Sequence, residues 1–179
     1  MQRAGLRRVL AAVGATAGLA LAATVPVLAA GQGAGAQFYV TATFEATMQT
    51  DTSCGAALHV TATGTTQGTH VGSGLWSQTE CVTLDFTKTP PVLVDGHGTV
   101  IAANGDQIFI HYTAATAPPD ANNQIHPRGS FCIVGGTGHF DGATGQGDLA
   151  VDGTANDGET AVFDGTMVVG NGGGAPACT

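Results

Sequence analysis

From Phe38 to Met48 the chain alternates: Phe38, Val40, Ala42, Phe44, Ala46 and Met48 form one set, and Tyr39, Thr41, Thr43, Glu45 and Thr47 fall between them. A period of two over that length marks a half-buried β-strand, with one face on a core and the other on water. The alternation recurs at Leu58, Val60 and Ala62, at Val82, Leu84 and Phe86, and at Ala161, Phe163, Met167 and Val169. Val100 to Ala102 and Ile108 to Tyr112 flank Asn104-Gly105-Asp106, the strongest single hairpin signal. Asp95-Gly96, Asp141-Gly142, Asp152-Gly153, Asp157-Gly158 and Asp164-Gly165 read as further hairpin or bulge signals. The pattern predicts about eight strands and no helical stripe long enough to cover a sheet. Such a sheet must bury its apolar face against itself, which favours closure over a sandwich. The expected fold is all-β, a single eight-stranded antiparallel β-barrel. Phe38, Phe44, Leu84, Phe86, Ile110 and Phe163 are expected to point inward.

The first residues follow a different rule. Arg3, Arg7 and Arg8 precede an apolar run from Val9 to Leu28, and Val27-Leu28-Ala29 is a small-residue cleavage pattern, so residues 1–30 read as a secretory signal peptide. A second such pattern at Ala34 to Ala36 places cleavage between 29 and 37. The expected organisation is a leader over 1–30, a barrel over 37–170 and a Gly-rich tail over 171–179 tied down by Cys178. The implied location is extracellular, with no membrane insertion after cleavage.

Without the leader, only Lys88 and Arg128 remain against thirteen acids. Nucleic-acid binding depends on Lys and Arg neutralising phosphates, so that partner class is excluded, as is attraction to an anionic membrane. Cys54, Cys81, Cys132 and Cys178 are an even set bound for an oxidising compartment. Four cysteines allow three pairings; Cys54 with Cys81 and Cys132 with Cys178 are preferred because each pair ties neighbouring segments of a meander. No CxxC or Cys/His spacing supports zinc, and His59, His70, His97, His111, His126 and His139 show no ligand spacing. The acidic stretch from Asp152 has Phe163 where a calcium loop needs its closing Glu. Neither a metal nor a cofactor is expected.

Catalytic signatures are sparse. No Gly-x-Ser-x-Gly elbow surrounds any serine, and no Gly-Lys-Ser/Thr follows a Gly-rich loop. The catalytic residues are unknown. The candidates for lining a ligand are Phe44, Glu45, Asp106, Ile110 and Tyr112. Tyr112 shares a face with Ile108 and Ile110, which directs its hydroxyl into a lumen and turns His111 outward. Glu45 falls opposite the Phe face, where a carboxylate meets solvent, and Asp106 reads most simply as a turn residue. Residues 114–127, with Pro118-Pro119 and Asn122-Asn123, read as a mobile loop.

The densest glycine cluster runs from Ile133 to Asp148 and sets Gly135, Gly136, Gly138, Gly142 and Gly145 around Phe140. That composition suits a sharply bent β-connection with the aromatic ring pinned beneath it. The stretch Val134-Gly135-Gly136-Thr137-Gly138, followed by Phe140 and a small-residue turn, resembles the glycine signature of the allene oxide cyclase and dirigent barrel family. Ala102 to Phe109 resembles the central hairpin of its secreted bacterial members, and Ala62-Thr63-Gly64 with Gly68 to Gly72 their earlier strand ends. The resemblance covers most of residues 38–170. It implies an eight-stranded antiparallel barrel with an apolar lumen, in a family that includes oxylipin cyclases, radical-coupling dirigent proteins and cyclases of polyketide-like chains. The plant cyclase's pocket motif has no match in this sequence. The expected function is that of a secreted, non-catalytic barrel binding a small apolar molecule. The alternative is a cyclase-like or dirigent-like barrel that steers a reactive intermediate; a homo-oligomer is compatible with both. A lumen carrying buried carboxyl or tyrosine groups would favour the alternative, and one filled by its own side chains would end both readings.

Overall fold

A computed structural model describes residues 35–50, 54, 58–155 and 158–170. The expected leader over 1–30 and the tail over 171–179 with Cys178 lie outside the described residues. Nine strands follow one another: β1 (Ala36–Thr50), β2 (Leu58–Gly68), β3 (Gly72–Leu84), β4 (Val92–Ala102), β5 (Gln107–Thr116), β6 (Gln124–Ile125), β7 (Arg128–Gly136), β8 (Thr144–Thr154) and β9 (Glu159–Val168). Eight of them form a meander in which each long strand pairs antiparallel with the one before it, and β9 returns to β1 with Val40 opposite Phe163. The sheet therefore closes as an eight-stranded antiparallel barrel. The short β6 lies outside that set and pairs with the end of β8, Ile125 opposite Gly153. Pro127, which has no N–H to give to a ladder, separates β6 from β7.

The lumen explains the composition. Inward positions on every long strand carry the apolar set, and Phe38, Trp76, Ile108, Ile110, Phe131, Ile133 and Phe163 are essentially inaccessible to solvent. Phe163 is the hub: its ring lies 5.2 Å from Trp76, 5.4 Å from Phe131 and 6.4 Å from Tyr112, centroid to centroid. Rings this large cross so narrow a lumen only where the facing wall is bare. A Cβ at Gly98 would stand 2.1 Å from the Trp76 indole, and one at Gly96 2.4 Å from the Tyr112 ring. Three of the Asp-Gly pairs are therefore not turns. Asp95-Gly96, Asp152-Gly153 and Asp164-Gly165 lie within β4, β8 and β9, where the period of two puts Asp on the outer face and Gly on the inner. Asn104-Gly105 and Asp141-Gly142 do form turns.

Of the six residues expected inward, Phe38, Phe44, Ile110 and Phe163 are buried. Leu84 and Phe86 are corrections: they are 60% and 81% exposed. Leu84 ends β3 and Phe86 lies in the turn beyond it, so the inward row continues past the last rung of the barrel.

The glycine cluster closes the opposite end. After β7, a 3-10 turn at Gly138–Phe140 drops Phe140 into the core, 5% exposed. Gly138 has φ +59°, and a Cβ there would meet the Asp106 carboxylate at 1.9 Å. Asp106 is the anchor of this corner: the His139 N–H (3.0 Å) and the Asn104 amide (2.7 Å) donate to it, and His139 Nδ1 lies 2.5 Å away. These contacts hold its carboxyl below the usual range, the His139 backbone bond first. Outside the barrel, Cys54 bridges Cys81 with Cα atoms 5.4 Å apart, as preferred from the sequence. Cys132 is disulfide-bonded as well, and its expected partner Cys178 lies outside the described residues.

Three stability outcomes are expected from denaturant unfolding. Phe140→Ala should cost about 3 to 5 kcal/mol through the cavity it leaves, and Gly138→Val about 1 to 3 kcal/mol through backbone strain, with the Asp106 clash added. Opening the Cys54–Cys81 bridge, whose ends are 27 residues apart, should cost about 3 to 4 kcal/mol on a chain-entropy account. Near-neutral values at both Phe140 and Gly138 would overturn the assignment of this corner as the structural plug of the barrel.

Candidate functional site

Among the described residues the barrel is packed at one end and open at the other. The inner row of β3 shows the change: Trp76, Gln78, Glu80, Val82 and Leu84 run upward from the aromatic core to the mouth. Gln78 and Glu80 break an otherwise apolar row. Two polar groups held inside a wall need partners, because burial without hydrogen bonds costs a few kcal/mol for each group. They have them. The Trp76 indole N–H donates to Gln78 Oε1 at 2.7 Å, the Gln78 amide to Glu80 Oε2 at 3.3 Å, and the Tyr112 hydroxyl to the same Glu80 oxygen at 2.6 Å. The chain of donors runs one way, from the packed core toward a single carboxylate oxygen.

A second acid completes the floor. Glu159 opens β9 on the same inward row as Ala161 and Phe163, and it is partly buried. No hydrogen bond to a described residue satisfies it. Burial, then the charge of Glu80, pushes its carboxyl up to about 7. Burial also raises Glu80, against the Tyr112 bond that lowers it. Tyr112 is raised well above its usual value by its own burial and by the Glu80 charge. Gln78, Glu80, Tyr112 and Glu159 line a small chamber of about 20 Å³, roughly the space of one water.

Above that floor the lumen widens into an apolar funnel of about 590 Å³. Val60, Val82 and Val94 form its inner wall, Leu84 and Phe86 one lip, and Pro118, Pro119 and Ile125 the other. Val94 and Pro127 line both funnel and floor, so the two adjoin. The volume lies within the range of small-molecule sites, and no charged residue among those described lines the funnel itself. The segment between β5 and β7, read from its composition as a mobile loop, is a fastened strap. Asp120 Oδ1 accepts from the N–H groups of Asn122 and Gln124, both at 2.8 Å, and the Gln124 amide donates to Thr154 Oγ1 at 2.7 Å. Outside the barrel Asp152 takes Arg128 at 2.8 Å and lies 2.6 Å from His126.

The candidates named from the sequence separate. Phe44 and Tyr112 line the floor chamber. Ile110 lies deeper, 1% exposed in the packed core. Glu45 is exposed on the outer face of β1, and Asp106 anchors the closed end, so neither lines the lumen. His111 faces outward, 2.8 Å from Asp95 and stacked on His97 at 4.8 Å. The acids that matter, Glu80 and Glu159, were not among the candidates. The signal for them was present: carrying the parity of Val82 and Leu84 back along the chain puts Glu80, Gln78 and Trp76 inside, and the parity of Phe163 puts Glu159 there. Among the described residues no group of three or more His, Cys, Asp and Glu side chains gathers to hold a metal. No described helix is long and apolar enough to cross a membrane.

The raised acids give stability a pH signature. Glu159 has an ordinary value of 4.5 and rises to about 7 on folding. Its stabilising contribution is therefore complete below about pH 4.5 and is lost as pH climbs through about 7. Glu80 acts in the same direction, whereas Asp85, Asp106 and Asp152 are lowered and act only at more acid pH. In denaturant unfolding, Glu159→Gln should match the parent near pH 4.5 and exceed it by on the order of 1 to 2 kcal/mol near pH 8, allowing for screening at the open mouth. Parallel curves across that window would contradict the burial of Glu159.

Compared with models of protein families, with curated proteins and with solved structures, the chain matches none of them.

Proposed function

We propose that this chain is a secreted barrel that takes a small, mostly apolar molecule into its open end and meets the polar group of that molecule at Glu80, Glu159 and Tyr112. One observation carries the reading: a continuous apolar funnel of about 590 Å³ stands directly over the only ionisable groups turned into the described lumen. An apolar wall with a few convergent polar groups supplies affinity from the first and orientation from the second. Covering about 350 Å² of apolar ligand surface, roughly that of a ten-carbon chain, is worth about 9 kcal/mol before association costs, which sets micromolar binding as the tight end of the scale to look for. The leader read over residues 1–30 and the Cys54–Cys81 disulfide support an extracellular setting.

A second reading has its own support, because carboxyl and tyrosine groups inside the lumen are what the sequence set as favouring it. Two carboxyls and a tyrosine converge in a water-poor chamber, and Glu159 titrates near 7, where an acid can both give and take a proton. A lumen that folds a reactive chain over those groups would steer a cyclisation or coupling, in keeping with the resemblance of the Gly135–Gly145 signature to cyclase and dirigent barrels. In this reading shape and orientation do most of the work.

Trp76, the sole tryptophan, sits one hydrogen bond below the floor and reports on it. Titration with the neutral apolar dye Nile red is expected to give saturable micromolar binding and a change in Trp76 emission. Val94→Trp, which fills the junction of funnel and floor, should weaken binding at least about ten-fold. Equal binding by the variant would place the dye elsewhere and remove the funnel from the reading. Native mass spectrometry of protein from its host separates the two functions. A retained ligand that comes back unchanged after incubation supports binding, and one that returns at the same mass with a different retention time supports cyclisation.

A further inference from the structure

The floor of the funnel does more than orient a ligand; it sets the sign of the charge that the ligand carries. Resting on the reading of the funnel as a ligand site, we infer that the molecule it takes is an apolar amine, whose protonated nitrogen pairs with Glu159 and Glu80 while its hydrocarbon part fills the cavity above.

Three observations converge on a cation. First, among the described residues no Lys, Arg or His lines either the funnel or the floor, so an anionic head group would enter beside two carboxyls with no described cation to neutralise it. Second, the donors that exist in the chamber are already committed: the Tyr112 hydroxyl and the Gln78 amide both point at Glu80 Oε2, and the Trp76 N–H is spent on Gln78. Only the second N–H of the Gln78 amide is left for a ligand acceptor, against four lone-pair-bearing carboxylate oxygens. Third, Glu159 has acceptor oxygens inside the barrel and no described donor, and an ammonium supplies three N–H donors together with the missing charge. The wider field agrees, since only Lys88 and Arg128 oppose thirteen acids from Glu45 onward. The titratable groups facing Glu159 are Glu80 from β3 and Tyr112 from β5. Its neighbours across the ladders, Phe44 on β1 and Gly153 on β8, carry no charge. Arg128 and His126 are turned to Asp152 on the outside.

The binding of an amine is coupled to protons. Where Glu159 holds its proton in the empty barrel, an incoming ammonium displaces that proton, so the preference for amines should grow as pH rises from about 5 to about 8 and the acid ionises on its own.

The test is a matched series with one tail and three heads: decylamine, decanol and decanoate, each displacing Nile red from the intact protein near pH 7 at constant ionic strength. Decylamine is expected to displace the dye at a concentration at least about ten-fold below decanol, and decanoate at least about ten-fold above it. Glu159→Gln should bring decylamine to within about three-fold of decanol, and Glu80→Gln should reduce its advantage independently. Asp148→Asn removes the same charge from the outer face, where Asp148 is exposed, and should leave the order unchanged. Retained Nile red binding with the parent's far-ultraviolet circular dichroism certifies that each variant is folded. Should decanoate equal or surpass decylamine, or should the amine preference survive in both Glu variants, the inference fails while the funnel remains a binding site. Should Asp148→Asn abolish the preference as fully as Glu159→Gln, the general field and not the floor selects the cation, and the inference fails equally. If none of the three displaces the dye, the apolar-ligand reading itself falls and takes the amine with it.

Discussion

An eight-stranded sheet that closes on itself encloses a space only just wide enough for side chains to fill, and that limit governs the rest of this molecule. Phe163 sits among Trp76, Phe131 and Tyr112, and each of those rings occupies volume that the opposite wall has to surrender. The wall yields through Gly96 and Gly98, whose missing side chains are the complement of the Tyr112 and Trp76 rings. At the other end of the lumen the supply of large side chains runs out. Val60, Val82 and Val94 reach less far across than an aromatic ring, and the unfilled volume becomes the funnel. Core and cavity are two outcomes of one volume constraint, set by which residue type stands at each inward position.

This accounts for what could be read from the sequence. The period of two in β1, β3 and β9 and the absence of a helical stripe specify a self-burying sheet, and Asn104-Gly105 marks the turn that the structure has. Misreading arose where glycine has two meanings. Asp-Gly is a turn signal when φ is positive, but inside Asp95-Gly96 and Asp164-Gly165 the aspartate faces solvent, and the glycine faces the Tyr112 ring in the first and the backbone of Gln146 and Gly147 in the second. Local sequence carries no record of that partner, because Trp76 and Gly98 meet only after β3 and β4 have paired. The same limit affects Leu84 and Phe86. Their parity is inward, but parity says which way a side chain points and not where the barrel stops.

The site was legible in part. Tyr112 was placed correctly in the lumen by its parity with Ile108 and Ile110. Glu80 and Glu159 escaped notice because an acid at an inward position looks like an error in an apolar pattern. Its meaning emerges only with its surroundings: Gln78 and Tyr112 satisfying Glu80, and burial, then the Glu80 charge, raising Glu159. Asp106 shows the reverse. It looks like a free carboxylate beside a turn, but it is consumed by His139 and Asn104 in fastening the corner that caps the packed end. Buried polar residues tend to be retained at such departures from the pattern, where stability is exchanged for a specific arrangement.

The ladder between β1 and β9 joins the first described strand to the last, with Ala36 opposite Met167. A nascent chain therefore has no closed barrel to adopt until nearly all of it has emerged, and through that interval β1 presents an unpaired apolar edge. Topologies that leave their longest loop to be closed last fold slowly and stay open to other chains meanwhile. The same delay keeps a chain threadable, since a sequence that cannot complete its core early can still be drawn through a narrow channel as an extended strand. The closure that gives the finished barrel its lumen thus also governs when, in the life of the chain, that lumen first exists.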